Sequence, residues 1–348
     1  MFRPGPVALL TLLLTSACAR TPNAENAGTA EPIAAASKDK PSAHGTIAFT
    51  LHEKDLIPEG IAADPATGRL FVGSIEKRKI VALSPEGKES SFVPSGAAGL
   101  GPVIGLRIDP ARGWLWAVSE PKGRPKSDPG TYHGLYAFTL SDGSLAARIE
   151  LPRSLGSGHE LNDLCVTDAG TLYVTDSEKG TIFQGKPGAK KLVELILASP
   201  SNRLLRFANG IVCTPDGTRL YVATADGIAA VDPKEGTTVL LATPPESPSG
   251  LGGLDGLYLE APDRLVGIQN GLSTPPRVLR ATLDASGLAA TRIEILVAGH
   301  PSFEIPTTGA ILNGALFLIA NSQVASYDKI GNLDRRKLQR PVILRLGL

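Results

Sequence analysis

Residues 59–74, EGIAADPATGRLFVGS, contain a pattern of strand and turn residues that recurs along the chain. A Glu-Gly pair precedes a short apolar run, Asp-Pro-x-x-Gly marks a turn, and a second apolar run ends at a serine. Apolar runs joined by such turn residues are typical of two antiparallel strands in a hairpin. The other copies are IGLRIDPARGWLWAVS (104–119), NDLCVTDAGTLYVTDS (162–177), NGIVCTPDGTRLYVAT (209–224), DGLYLEAPDRLVGIQN (255–270) and TGAILNGALFLIANS (308–322).

The spacing of the six copies predicts a propeller. They begin at residues 59, 104, 162, 209, 255 and 308, so successive starts lie 45 to 58 residues apart. A four-stranded propeller blade has about this length. Further strand-like segments follow the copies, and no long segment has the 3.6-residue apolar period of a helix. We therefore predict an all-β fold, a six-bladed β-propeller with four-stranded blades, over residues 46–348. A β-sandwich or smaller barrel is the alternative, but neither explains six copies.

The two ends of this body are also strand-like, at Thr46–Leu51 and Val342–Leu348. Two such ends can pair within one blade, which closes the ring and removes an exposed sheet edge. We expect this pairing in the last blade.

The first 18 residues predict export. After Arg3, the apolar run Val7–Leu14 has the length of a signal-peptide core and is too short to span a bilayer. It leads into Thr15-Ser16-Ala17-Cys18, and small residues before a cysteine resemble the lipobox of bacterial lipoproteins. We expect residues 1–18 to be a lipoprotein signal peptide with lipidation of Cys18. An ordinary signal peptide cut near the same place is the alternative.

Residues 19–45 are mostly Ala, Thr, Pro, Ser, Asn and Lys, with almost no large apolar side chain. Such a segment cannot bury enough surface to offset chain entropy, so we expect a flexible tether. In lipoproteins of the type this pattern resembles, a second mature residue other than Asp favours the outer membrane, and here it is Ala19. The expected location is the bacterial cell envelope, on the outer membrane facing the periplasm.

Charge and cysteine content limit the partners. The chain has 35 Lys+Arg against 34 Asp+Glu, a net charge of +1, so no basic excess favours nucleic acid. A membrane is expected as a partner only through the lipid anchor. Cys165 and Cys213 lie in apolar, strand-like stretches, which favours buried free thiols over a disulfide.

The first residues of the copies predict a metal site. In a propeller the innermost strand of each blade lines the central channel, so residues opening that strand converge on the axis. Four of the six openings carry oxygen donors, and these are Glu59, Asn162, Asn209 and Asp255. Carboxylate and amide oxygens suit a hard cation such as Ca²⁺, and the absence of thiolate and imidazole argues against zinc. The alternative is that Asn-Gly and Asp-Gly are only turn signals.

A family resemblance supports this interpretation. The segments IPEGIAADPATGRLFVGS, LNDLCVTDAGTLYVTDS, FANGIVCTPDGTRLYVAT and LDGLYLE resemble signature stretches of the senescence marker protein/gluconolactonase (regucalcin-like) family. Paraoxonase and diisopropyl-fluorophosphatase are similar in architecture. The resemblance covers about residues 46–348 and is most specific in the order Glu-Gly, Asn-Asp, Asn-Gly, Asp-Gly. It implies one catalytic Ca²⁺ or another hard divalent cation on the axis, and a lactone or related ester as the small-molecule substrate.

Roles follow from the resemblance residue by residue. It implies direct metal ligands at Glu59, Asn209 and Asp255, and makes Asn162 a ligand or a substrate contact. Asp255 is also the candidate general base. Asp163 and His159 are alternative bases, because they belong to the segment that enters the inner strand at Asn162.

Five further residues are predicted to contact substrate, and these are Arg107, His300, Glu304, Thr307 and Asn321. Arg107 lies three residues into the second copy, and His300 shortly precedes the sixth inner strand. The stretches around the other three resemble a less characterised branch of the family, which leaves the substrate open. The alternative function is a noncatalytic envelope propeller that binds a ligand or protein and holds a structural Ca²⁺. An open coordination position below a polar pocket would favour the hydrolase.

Overall fold

A computed structural model of the chain describes residues 45–120, 133–196, 203–245, 250–271, 275–328 and 331–348. The predicted signal peptide, the lipidation site at Cys18 and nearly all of the predicted tether lie outside these ranges. Within them, no helix has the length and apolar character needed to cross a membrane.

Six four-stranded antiparallel sheets make up the described body, which confirms the predicted six-bladed propeller. The first strand is β1 (Gly45–Thr50). Blade 1 contains β2 (Pro58–Ala63), β3 (Leu70–Ser74), β4 (Ile80–Leu83) and β5 (Glu89–Val93), and blade 2 contains β6 (Val103–Asp109), β7 (Trp114–Ser119), β8 (Gly134–Thr139) and β9 (Leu145–Glu150). Blade 3 contains β10 (Leu161–Val166), β11 (Leu172–Asp176), β12 (Thr181–Gly185) and β13 (Val193–Ile196).

Blade 4 contains β14 (Ile211–Cys213), β15 (Leu220–Ala223), β16 (Ile228–Asp232) and β17 (Thr237–Leu240), and blade 5 contains β18 (Leu254–Ala261), β19 (Arg264–Gln269), β20 (Arg277–Leu283) and β21 (Ala290–Ala298). Blade 6 contains β22 (Gly309–Leu312), β23 (Ala315–Ile319) and β24 (Val342–Gly347). Helical structure among the described residues is limited to 3-10 turns, at Lys54–Leu56, Ala97–Gly99, Arg153–Leu155, Val324–Ser326 and Arg335–Lys337.

The two ends of the chain complete blade 6. Strand β1 pairs antiparallel with β24, with Thr46 opposite Arg345 and Thr50 opposite Val342. The sheet order is β1, β24, β23, β22, so the first strand is the outermost strand of the last blade. The expected ring closure is confirmed.

Each repeated copy supplies the two innermost strands of its blade. In blade 1, for example, Asp64 turns the chain between β2 and β3, accepting hydrogen bonds from the Ala66 amide at 3.0 Å and from the Thr67 hydroxyl. The hydrophobic core lies mainly between blades. Phe71 of blade 1 and Leu106 of blade 2 belong to one buried cluster, which shows why a single blade could not fold alone.

Cys165 and Cys213 illustrate this packing between blades 3 and 4. Both side chains are buried in one cluster, together with Ile211, and both are free thiols. The prediction of buried thiols is confirmed.

Candidate functional site

The inner strands are tied to one another where the copies begin. The Gly210 amide donates to the Asp255 carbonyl at 2.9 Å, and the Gly256 amide donates to the Thr307 carbonyl at 3.2 Å. The Thr308 hydroxyl in turn donates to the Glu59 carbonyl. These bonds connect blades 4, 5, 6 and 1 in sequence, so the opening residues share one level around the axis.

A bulge at the start of the inner strand directs these side chains. Pairing in blade 1 runs from Pro58 opposite Ser74 to Ile61 opposite Val72, with a register shift between them. Glu59 and Gly60 lie inside this shift. Blades 2, 3 and 5 have the same irregularity over the first two residues of their copies. A bulge leaves residues unpaired and re-aims their side chains, which accounts for the placement of Glu59, Asn162 and Asp255.

A left-handed residue precedes the opening in several blades. Ile57 has a φ of 45°, Phe207 of 54° and Gly253 of 66°. They stand two positions before Glu59, Asn209 and Asp255. A left-handed conformation is uncommon for residues other than glycine, and least favourable for a β-branched one such as isoleucine. Its recurrence at this position indicates that the chain must turn sharply to aim the next residues at the axis.

Three buried oxygens in the site have no hydrogen-bond partner. They are Oε2 of Glu59, Oδ1 of Asn209 and Oδ1 of Asp255. Buried polar atoms are almost always satisfied, and leaving one unsatisfied costs about 1–3 kcal/mol. All three atoms are hard oxygen acceptors, and all three belong to residues that the resemblance identifies as direct metal ligands. The set therefore fits Ca²⁺ or another hard divalent cation.

The amide oxygens of the site are left to accept. Nδ2 of Asn162 donates to the Ser177 hydroxyl at 3.0 Å, so the oxygen of that amide remains as an acceptor. Oδ1 of Asn209 is buried without a partner. A cation requires acceptor oxygens of this kind. Among the described residues, no group of three or more His, Cys, Asp or Glu could hold a metal, so the amides are essential to this donor set.

Burial perturbs the carboxyl groups of the site. It raises the pKa of Glu59 well above its usual range, and the neighbouring Asp255 and Glu160 add to the shift. Burial also raises the pKa of Asp255 to about 6, against a hydrogen bond from Asn270 that opposes the shift. Two carboxyl groups that resist ionisation in the same pocket are those that a bound cation would stabilise in their charged forms.

These shifts predict an unusual pH dependence for the metal-free protein. A folded-state pKa above the unfolded value of 3.8 means that Asp255 contributes stability at low pH, and this is lost as the pH rises through about 6. The contribution of Asp255 to the free energy of unfolding, measured with urea in the presence of a chelator, should therefore fall by about 2 kcal/mol between pH 4.5 and 7.5. Asp255→Asn should flatten that component, and an identical profile in the two proteins would contradict the prediction.

A partly buried ion pair lies beyond the site along the inner strands. Arg107 Nη2 lies 3.4 Å from Oδ2 of Asp163, and Arg107 Nε donates to the Leu164 carbonyl at 3.1 Å. Nη2 also donates to the Ile211 carbonyl at 3.4 Å, and the guanidinium lies over the Tyr258 ring. Arg107 thus joins four blades. Arg107, which was predicted to contact substrate, connects neighbouring blades here, and Asp163 is its counter-ion.

The side chains of both alternative bases, Asp163 and His159, are engaged by neighbouring groups. Oδ1 of Asp163 accepts the Leu164 amide at 2.8 Å, while Oδ2 faces Arg107. Burial raises the pKa of Asp163, and Arg107 opposes the shift. His159 is buried, with Nδ1 at 2.6 Å from Oδ2 of Asp176 and Nε2 at 3.4 Å from the Leu155 carbonyl. These contacts hold both side chains in place, which leaves Asp255 as the candidate base.

The other four predicted substrate contacts lie in different surroundings. His300 Nε2 lies 3.2 Å from the Gly45 carbonyl in the outermost strand of blade 6, which places it away from the channel. Asn321 uses both ends of its amide on the backbone, at the Arg340 carbonyl and the Val342 amide. Glu304 is exposed. Thr307 alone reaches the site, since its hydroxyl donates to the Glu59 carbonyl at 3.2 Å.

Two supporting residues were not among those predicted. Ser177 accepts from Asn162, and Asn270 Nδ2 donates to Oδ2 of Asp255 at 3.2 Å. Each is the last residue of its copy. Because the two strands of a copy are antiparallel, its last residue returns beside its first. The repeated Ser, Thr or Asn at that position was the signal that could have identified them.

Comparisons with known sequences and structures identify relatives of the chain. The sequence profile described as SMP-30/gluconolactonase/LRE-like region matches residues 57–266, more than half of the chain. The chain belongs to the SMP-30/gluconolactonase/LRE-like family. The match begins two residues before Glu59 and includes all four oxygen-donor positions. A comparison with curated proteins finds no significant match.

Solved structures share the fold at low identity. Regucalcin of Agrobacterium tumefaciens, described as a calcium-binding protein, is 19% identical with a TM-score of 0.57, over 87% of this chain and 94% of that one. A gluconolactonase of Xanthomonas campestris is 16% identical with a TM-score of 0.57, over 86% and 88%. Virginiamycin B lyase of Staphylococcus aureus is 15% identical with a TM-score of 0.54, over 86% and 97%. Because proteins that share this fold include a lyase and a gluconolactonase, the fold alone does not determine the function.

Proposed function

We propose that this protein is a divalent-metal-dependent hydrolase of a lactone or related ester, with the metal on the propeller axis. The observation that carries the proposal is the set of three buried, unpartnered oxygens on Glu59, Asn209 and Asp255. Membership of the SMP-30/gluconolactonase/LRE-like family supports it. So do the fold relatives described as a calcium-binding protein and as a gluconolactonase.

The metal would be held by residues from at least three blades. Glu59, Asn209 and Asp255 would supply the unpartnered oxygens, and Asn162 would add a fourth from blade 3. Two carboxylates would balance the charge of Ca²⁺, and oxygen-only donors suit it or a similar hard cation. Such an ion, when bound, polarises an ester carbonyl and stabilises the negative charge that develops on its oxygen.

The protein's own groups supply orientation and proton transfer. Asn270 holds one carboxylate oxygen of Asp255 at 3.2 Å, which fixes the plane of the carboxylate. Asp255 would then take a proton from an attacking water, the general-base step of ester hydrolysis. Asp163, held by Arg107 and the Leu164 amide, is a fixed partner of the arginine rather than a mobile proton acceptor.

A substrate panel tests the proposal. The purified protein is assayed against sugar lactones, alkyl lactones and aryl esters, with added Ca²⁺ and then with a chelator. We expect turnover of at least one class that the chelator abolishes and Ca²⁺ restores. Metal binding without turnover of any class would favour the noncatalytic binding propeller, and chelator-resistant turnover would contradict metal dependence.

We also propose that the protein acts at the cell envelope, anchored to the outer membrane through Cys18. The pattern Leu14-Thr15-Ser16-Ala17-Cys18 supports this location. Cys18→Ala should abolish incorporation of a labelled fatty acid and release the protein from the membrane fraction in a bacterial host. Cys165→Ala is the matched control, since that thiol is buried in the propeller. Labelling that survives Cys18→Ala would refute the anchor.

A further inference from the structure

Cys165 and Cys213 are two buried nucleophiles that take no part in the proposed hydrolysis. They lie on the inner strands of neighbouring blades, Cys165 on β10 of blade 3 and Cys213 on β14 of blade 4. Both belong to the same hydrophobic cluster between these blades. The facing and the relative level of the two strands therefore decide whether the thiols meet.

The two cysteines face each other because their positions within the copies differ by one residue. Cys165 is the fourth residue of the copy 162–177, and Cys213 is the fifth residue of the copy 209–224. Successive side chains on a strand point to opposite faces of its sheet. Leu164 accordingly packs in the cluster between blades 2 and 3, and Val212 packs against the cluster between blades 4 and 5. Cys165 thus faces blade 4, and Cys213 faces blade 3.

Hydrogen bonds between the two strands set their relative level. The Ile211 amide donates to Oδ2 of Asp163 at 3.4 Å, and the Ile211 carbonyl accepts from Nη2 of Arg107, also at 3.4 Å. Cys165 lies two residues after Asp163, and Cys213 lies two residues after Ile211. Both strands begin at the level of the axial site and run in the same direction, so equal steps along them keep the two cysteines side by side.

The Cys165 thiol is poorly reactive in the folded protein. Burial raises its pKa well above the usual range, and a hydrogen bond with the Cys213 thiol adds to the shift. A thiol must lose its proton before it attacks a disulfide, so exchange at this buried pair should be slow once the propeller has formed. A bond between the two sulfurs would therefore form mainly while the chain folds, when both thiols are accessible.

We propose that Cys165 and Cys213 form a disulfide that joins blades 3 and 4 and stabilises the propeller. The free thiols of the structure are the reduced form of this pair. As the S–S bond forms, the two thiols lose two protons and two electrons, and a small-molecule or protein disulfide takes them up and becomes two thiols. The proposed envelope location would supply such an oxidant. The inference goes beyond the hydrolase activity and does not depend on it.

The test refolds the full-length chain in a thiol–disulfide buffer. Cys18→Ala leaves only the two propeller cysteines, and this protein is unfolded with reductant and refolded in reduced and oxidised glutathione. Free thiols are alkylated in denaturant, and tryptic peptides are analysed by mass spectrometry. We expect most chains to yield peptides 154–179 and 207–219 as one linked species that dithiothreitol separates. Recovery of both peptides in alkylated form, or linkage between two chains, would overturn the proposal.

A matched control moves one thiol to the other face of its strand. In the Cys18→Ala background, Cys213→Ala/Val212→Cys places this thiol where Val212 packs, against the cluster between blades 4 and 5. Its two thiols should stay free under the same refolding conditions. Linkage as complete as in the parent protein would show that the facing of the strands does not direct the reaction, which would contradict the proposal.

Reduction should lower the stability of the linked protein. The disulfide would close a loop that contains the outer strands of blade 3 and so restrict the unfolded chain. Dithiothreitol should therefore lower the melting temperature, measured at fixed Ca²⁺, by about 5 °C. Cys165→Ala cannot form the link, so its melting temperature should not respond to the reductant. An unchanged melting temperature of the linked protein after reduction would contradict a stabilising disulfide.

Discussion

Asp255→Asn should lower kcat/KM for the best lactone or ester by at least about a thousandfold. The substitution removes one of the two carboxylates in the donor set and the candidate general base at once. Asn has nearly the same shape and keeps an oxygen, so the fold should persist. Steady-state kinetics at saturating Ca²⁺, with a melting curve for each protein, measure both effects.

The matched control for this prediction is Asp263→Asn. Asp263 is an exposed residue in the turn between β18 and β19 of the same blade. Its kinetics should equal those of the wild type. If Asp255→Asn retained full activity with an intact fold, Asp255 would be neither an essential ligand nor the base.

Gly60→Ala should destabilise the protein by about 3 kcal/mol or more, a loss expected from severe overpacking. A Cβ at this position would lie 2.1 Å from the Ile104 carbonyl oxygen and 3.1 Å from the Leu106 side chain. The first of these atoms is backbone of the neighbouring blade, so it cannot move aside without shifting the inner strand. Denaturant unfolding at fixed Ca²⁺ measures the change.

Gly347→Ala is the control for the glycine prediction. Gly347 also lies in a strand, has no positive φ, and would have nothing within 4 Å of an added Cβ. Its unfolding free energy should stay within about 0.5 kcal/mol of the wild type. Equal stability of Gly60→Ala and Gly347→Ala would show that adjacent inner strands are not in contact where the copies begin.

The fold could be predicted because the inner hairpins repeat their sequence as well as their structure. Segments such as 59–74 contain both strands and their turn, so one pattern gave blade number, blade size and the positions that open the channel. The outer strands carry no comparable repeat, and β5 or β13 could not be located from sequence. Ring closure was predictable because both ends of the body are strand-like.

The site could be predicted only at the level of residue positions. The register of the repeats identified the opening residues, but their side-chain directions depend on bulges at the start of the inner strands. The Gly that follows five of the six opening residues is only a weak signal of such a bulge. Arg107 was therefore expected beside substrate, although it pairs with Asp163 between the blades. His300 was assigned by its closeness in sequence to the sixth copy, and its pairing with the first strand was not considered.

Metal content and Ca²⁺ affinity are the first measurements to make on the axial metal site. The wild-type protein and the Glu59→Gln/Asp255→Asn double variant are stripped with a chelator and titrated by calorimetry, and elemental analysis counts the ions retained. We expect one tightly bound divalent ion per wild-type chain and none in the double variant, with the same circular dichroism spectrum. A wild-type protein that binds no ion, or a double variant that binds it equally well, would contradict the axial metal site.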